Sequence, residues 1–171
     1  DGVAGWESNN IVSLSADGST VAIGVPPDDD LGSGQVKIFK NVNDTWIQVG
    51  ADINGETNGS FGRSVSLSAD GSIVAIGGLY NDENGTDSGH VRIYKNVNDT
   101  WTQIGSDIDG ESSSDESGYS VSLSGDGSVV AIGARYNDGG GSNSGHVRIY
   151  ENNNGTWTQI GSDIDLSLIH I

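Results

Sequence analysis

A block of about 55 residues occurs three times in this chain, and no other feature limits the fold as tightly. The segment "VSLSADGS" starts at Val12 and again at Val65, then returns at Val121 as "VSLSGDGS". The valines stand 53 and then 56 residues apart, and Trp46, Trp101 and Trp157 stand 55 and then 56 apart. Between those markers come "VAIGVPP", "VAIGGLY" and "VAIGARY", followed by "GQVKIFK", "GHVRIYK" and "GHVRIYE", always in the same order. A chain of near-identical units buries its core by packing each unit on the next, so the fold is one unit, stacked.

Within a unit the apolar residues alternate with polar ones, the period of a half-buried strand. In the second copy Val65 and Leu67 alternate with serines, and Asp70-Gly71 interrupts the run. "SIVAIGG" follows as a more continuous apolar strand, then the turn-rich "LYNDENGTDSG", then "HVRIYK" and "TWTQIG". Asp-Gly, Asn-Asp and Asn-Gly between such runs are hairpin signals, because primed turns need φ > 0. No stripe of helical period is present. Four short strands joined by tight turns, repeated at this interval, predict blades of a β-propeller. Each blade runs from an inner strand at Val12, Val65 or Val121 to an outer strand carrying the Trp. The expected fold is all-β: three four-stranded antiparallel blades in an open arc. The blades fall at 1–56, 57–111 and 112–165, with a tail at 166–171. A seven-bladed ring needs about 385 residues, so three blades make an incomplete ring.

Composition narrows the partners. The chain has 171 residues, 24 acidic against 7 basic side chains, and a formal charge of −17. That balance argues against nucleic acid and anionic membrane surfaces, which need a Lys/Arg footprint, and it favours cations. There is no cysteine, hence no disulfide and no Cys-ligated metal. No apolar run approaches the ~20 residues of a membrane helix. The first residues, "DGVAGWESNN", hold neither an initiator Met nor a signal region, so the reading is of a stretch from a longer, secreted or surface protein.

The segment "FGRSVSLSADGSIVAIGG" (61–78), with "SGHVRIY" and "TWTQIG" after it, resembles the FG-GAP repeat family. That family supplies the propeller repeats of integrin α-subunit heads and of many bacterial and algal surface proteins. Phe61-Gly62 matches the family's FG, with Gly118-Tyr119 and Asn9-Asn10 as degenerate counterparts, and "VAIGVPP" and "VAIGAR" match its GAP. The resemblance implies a β-propeller with adhesion or ligand-binding roles. Integrin-type blades often carry a calcium loop between their first two strands. Here that connection is only "SADGS" or "SGDGS", too short for ~6–8 oxygen ligands. The family's calcium site is therefore not carried to Asp17, Asp70 or Asp126, which read as hairpin-turn residues. The terminal "LSLIHI" (166–171) has no counterpart in the repeat and looks like translated sequencing adapter, against the plainer reading of a natural capping strand.

The candidate ligand-binding loops lie between second and third strands: Asp28, Asp29 and Asp30 in copy one, Asp82, Glu83, Asn84 and Asp87 in copy two, Asp138 and Asn143 in copy three. Oxygen-rich loops can hold calcium, but "GGGSNS" in the third copy favours solvated turns. Asp107, Asp109 and Glu111, echoed by Asp52, Asn54 and Glu56, are weak calcium candidates, since alternating carboxylates on an extended segment share a side. No cofactor is firmly assigned. His90 and His146 match Gln35 and read as hydrogen-bonding strand residues. Arg92, Arg148 and Lys37 are expected on an exposed strand face near acids. The repeated tryptophans are either sugar-stacking platforms or blade-to-blade packing, the latter favoured by their fixed position; Trp6 lies outside the repeat. Asn43, Asn58, Asn84, Asn98 and Asn154 head Asn-x-Ser/Thr triplets, which are also simply turns. The functional expectation is a non-enzymatic protein that binds a protein or glycan ligand through its loops, with further blades of the same parent chain as neighbours. An enzyme on the same repeats and a structural spacer are the rivals.

Overall fold

The computed structural model describes residues 11–27 and 32–166, and every regular element among them is a strand. The first sheet comprises β1 (Ile11–Leu14), β2 (Thr20–Val25), β3 (Gln35–Val42), β4 (Thr45–Gln48) and β5 (Ile53–Asn54). The second comprises β6 (Phe61–Leu67), β7 (Ile73–Gly78), β8 (His90–Val97), β9 (Thr100–Gln103) and β10 (Ile108–Asp109). The third comprises β11 (Ser117–Leu123), β12 (Val129–Ala134), β13 (His146–Asn153), β14 (Thr156–Gln159) and β15 (Ile164–Asp165). All ladders within the sheets are antiparallel and join neighbours in sequence, except that β5, β10 and β15 pair back with β3, β8 and β13. Each blade thus carries a short fifth strand beyond the four expected, paired beside the fourth on the same partner. β9 covers Tyr94–Val97 of β8, and β10 covers Val91 and His90. The break falls at Gly50, Gly105 and Gly161, whose φ values near +75° turn the chain away from the ladder.

The core lies between blades and is built by alternation, on both faces of the middle sheet and on the facing side of each outer one. Ala22, Val36, Ile38 and Ile53 of the first blade pack on Phe61, Leu67, Val74 and Ile76 of the second. Ala75, Val91, Ile93 and Ile108 of the second then pack on Val130, Ile132 and Tyr150 of the third. Successive residues of β7 therefore serve opposite interfaces, which is why "IVAIGG" is apolar throughout. The serines of "VSLS" are not mere solvent-facing spacers. Ser13 Oγ accepts the Leu67 N–H and Ser66 Oγ accepts the Leu123 N–H, each at 2.9 Å, so the serines tie one inner strand to the next.

The turn at the thrice-repeated aspartate has one construction in all copies. Ser15 Oγ donates to Asp17 (2.7 Å) and accepts from Thr20 N–H (2.9 Å), while Ser19 N–H donates to the same carboxylate (2.9 Å). Ser68–Asp70–Ser72 and Ser124–Asp126–Ser128 repeat this clasp. These hydrogen bonds hold the Asp17 and Asp126 carboxyls down at about 2 and lower that of Asp70. Only the glycine of each Asp-Gly step has positive φ, so this is not the doubly left-handed primed turn expected; that turn occurs at Asn43-Asp44, Asn98-Asp99 and Asn154-Gly155.

Backbone register also corrects one alignment. Gly62 (φ +86°) and Gly118 (φ +88°) sit at matching bulges, so the third counterpart of Phe61-Gly62 is Ser117-Gly118, not Gly118-Tyr119. Asn9-Asn10, Trp6, Asp28, Asp29, Asp30 and the tail beyond Leu166 lie outside the described residues.

Candidate functional site

The loops after the second strands use their candidate residues to build themselves. Asp82 accepts the Asp87 N–H (2.9 Å) and Asp138 accepts the Asn143 N–H (2.7 Å), so both copies close the same way. Asp87 and Asn143 both occupy the left-handed region, at φ +56° and +53°. Asn84 donates Nδ2–H to the Gly110 carbonyl at 2.9 Å, fastening the loop to the link that leaves the blade. Neighbouring side chains do the same: Asn137 donates to Asp115 (2.9 Å), and Arg135 pairs with Glu116 (2.6 Å) while lying over Tyr119 and Tyr136. These loops are stiffened by their own polar groups.

The cations of the third strands do not lie on an exposed face. The Arg92 side chain is 12 % exposed and bridges Asp107 (2.7 Å) and Glu56, the latter from the link of the preceding blade. Arg148 is buried; it donates to the Asp109 carbonyl (2.8 Å) and faces Glu111 at 3.5 Å. Lys37 makes the reduced version, with Asp52 at 2.9 Å. The reason is position in the strand: Arg92 shares a β8 face with Tyr94, and Tyr94 packs toward the first blade. A conserved layout behind this pairing fixes the acid, since Gln48, Gln103 and Gln159 donate to Asp52, Asp107 and Asp163 at 2.6–2.7 Å. Glutamine and acid stand four residues apart in all three copies, and that constant spacing is the signal for it in the sequence.

The three weak calcium candidates go to different tasks. Asp107 is held by Arg92 and Gln103, and despite the opposing effect of burial these hydrogen bonds lower its pKa. Asp109 goes the other way: burial, then the charges of Asp107 and Glu83, push it up. Glu111 turns to the third blade, where its Oε2 stands 3.8 Å from His146 Nδ1.

The histidines differ although their sequences match. His90 is fully buried, stacked on Phe61 with ring centroids 6.0 Å apart, and burial holds its pKa down at about 4. His146 has Ser117 where His90 has Phe61, and it faces Glu111 and Asp163, each at 3.8 Å. Neither ring has a hydrogen-bond partner among the described residues, contrary to the expectation of hydrogen-bonding strand residues.

Between successive blades the outer strands leave two equivalent grooves. One, about 430 Å³, is lined by Asp52, Asn54, Tyr94 and Trp101; the other, about 370 Å³, by Asp107, Asp109, Tyr150 and Trp157. Trp101 Nε1–H donates to the Val49 carbonyl and Trp157 Nε1–H to the Ile104 carbonyl, both at 2.9 Å. Each tryptophan thus packs one blade on the previous one, as expected, and also forms a groove wall.

Known structures share this arrangement of blades. A candidate 6-phosphogluconolactonase from Bacteroides fragilis superposes with a TM-score of 0.60 at 18 % identity, over 91 % of this chain and 38 % of its own. Another from Bacteroides uniformis gives 0.61 at 15 %, over 92 % and 40 %. An acylaminoacyl peptidase gives 0.53 at 13 %, over 91 % and 25 %. The chain spans at most about two fifths of these proteins, and at such identities the likeness is one of fold. No curated protein sequence matches it. The FG-GAP repeat pattern matches residues 48–94 and 107–150, a little over half the chain; the first match holds β5, β6, β7 and most of β8, the second β10, β11, β12 and most of β13. With two separate matches lying on two successive blades, the chain belongs to the FG-GAP repeat family.

Proposed function

We propose that this chain is the propeller section of a non-enzymatic, secreted or cell-surface binding protein, which takes a glycan or protein ligand between blades. The observation that carries this reading is the pair of equivalent grooves, each combining a Tyr–Trp wall with Asx side chains. An aromatic face with a few convergent polar groups suits sugar rings and peptide edges, and 370–430 Å³ lies within the range of small-ligand sites. The groove rims are inter-strand connections, Gly105–Ser106 and the turn at Gly155, so the ligand meets loops as well as rings. Asp70 is committed to a turn and Asp107 to Arg92 and Gln103, which at those two positions favours binding over catalysis. Further blades of the same parent chain are the natural cover for the open ends: Val12, the counterpart of the half-buried Val65, is 62 % exposed.

The test is to record the indole N–H resonances while titrating panels of oligosaccharides and extended peptides. Ligands from one class should move Trp101 and Trp157 together, and Trp157→Phe should weaken that class. If ligands perturb only the Asp82–Asp87 and Asp138–Asn143 loops, or if the protein turns over the glycans offered, the reading fails.

A further inference from the structure

We propose that Glu111, His146 and Asp163 form a site for a borderline divalent transition-metal ion of the zinc or cobalt kind. Their ligand atoms all lie within 4.8 Å of one another, with Nδ1 of His146 3.8 Å from Oε2 of Glu111 and from Oδ2 of Asp163. Carboxylates that cluster on an acidic surface are ordinary. What distinguishes this cluster is the imidazole: His146 is 2 % exposed, and both ring nitrogens are buried without a hydrogen-bond partner among the described residues. A buried polar group left unsatisfied is costly and points to an absent partner.

The equivalent position in the second blade explains why the site occurs once. There Arg92 bridges Glu56 and Asp107, filling the space between the two acids with a cation, and His90 stacks on Phe61. In the third blade Arg148 is drawn instead to the Asp109 carbonyl and touches only Oε1 of Glu111, leaving Oε2 toward His146. Asp163 has no arginine among the described residues and is steadied by Gln159 at 2.6 Å, an outer hydrogen bond of the kind that orients a ligating carboxylate. The first blade has Gln35 and Lys37 at these positions and no histidine.

The donor set selects the metal. One imidazole nitrogen and two carboxylates suit a borderline ion at about 2.0–2.2 Å, while calcium wants more ligands, all oxygen. Tetrahedral ligands at that bond length stand about 3.3 Å apart, so the 3.8 Å separations must close by about half an ångström and the carboxylate-to-carboxylate one, within 4.8 Å, by up to about 1.5 Å. Glu111 and Asp163 can supply this, because their side chains are part exposed while the ring is packed. Three protein ligands leave a fourth position open to water, and the −17 charge of the chain draws cations in.

Cobalt(II) chloride and zinc chloride added to the full chain near neutral pH test the site. Cobalt should give the visible absorption of a low-coordinate nitrogen–oxygen site, saturating at one ion per chain and displaced by zinc, and zinc should raise Tm. His146→Gln, which installs the residue that blade one carries at Gln35, should keep the fold and weaken cobalt binding about tenfold or more. Asp163→Asn should weaken it too, and His90→Gln should leave it unchanged. Binding that survives His146→Gln undiminished, or the absence of a saturable cobalt spectrum, overturns the assignment.

Discussion

His90 gives the fold a defined weakness to acid. Its ring is fully buried against Phe61, and burial, with the nearby Arg92 charge, holds its pKa at about 4 against 6.5 for a free imidazole; Asp107 and Glu56 pull the other way and do not prevail. Below pH 6.5 the unfolded chain takes up a proton that the folded chain refuses, so stability falls as pH drops through that window. With those two values the loss is about 2 kcal/mol at pH 5 and about 3 kcal/mol at pH 4, from one side chain. The carboxylates with lowered pKa, Asp17, Asp52, Asp70, Asp107 and Asp126, lose their stabilising share only below their ordinary value of 3.8, so the two effects separate. The perturbation is His90→Gln, copying Gln35 of the first blade. Losing the stacked ring lowers stability at every pH, which is why the useful quantity is a difference of differences. Urea unfolding at pH 7 and pH 5 should show the wild type losing about 2 kcal/mol more than the variant between the two. Equal losses would refute the reasoning, as would an NMR titration placing the His90 midpoint near 6.

Two further perturbations test the electrostatics and the backbone. Asp109 has its pKa raised by burial and by Asp107 and Glu83, so its charged form is a liability that grows as pH rises above the ordinary value of 3.8. Asp109→Asn, which copies Asn54, should raise Tm at pH 7 and make no difference near pH 3, as read by thermal melts at both. Gly118 combines φ +88° with a position where a Cβ would stand 2.5 Å from the His90 carbonyl oxygen. Gly118→Ala should therefore cost about 2 kcal/mol or more in urea unfolding, and a neutral outcome would refute the close approach of β11 to β8.

The repeat and its alternation made the architecture legible, because both are local and each blade obeys the same rules. Even the apolar continuity of "IVAIGG" carried its message, once a strand can be buried on two sides. What stayed hidden depends on register between blades. Ser66 reads as a polar spacer until the next inner strand is set beside it, offering the Leu123 N–H. Arg92 reads as a surface cation until β8 and the preceding link are placed together, with Glu56 and Asp107 on either side. The misplaced counterpart of Phe61 has the same origin: the link before β11 is longer, and only matching φ at Gly62 and Gly118 fixes the equivalence.

Sequence identity between copies also concealed a difference in chemistry. "GHVRIY" occurs at 89–94 and 145–150, and nothing in it separates His90 from His146. The separation arises one strand pair away, where Phe61 in one blade is replaced by Ser117 in the other. A phenyl ring beside His90 supplies an apolar contact that an uncharged imidazole accepts, so that histidine acts as packing. With serine there instead, His146 lacks that contact and faces two carboxylates. The arginine decides what the acids do. Bound between both, as Arg92 is, it neutralises them; drawn to a backbone carbonyl, as Arg148 is, it leaves two acids and a buried base facing one another. A repeat protein can thus keep one scaffold in every unit and still give a single unit its own chemistry, through a substitution at a neighbouring position and an arginine that takes other partners.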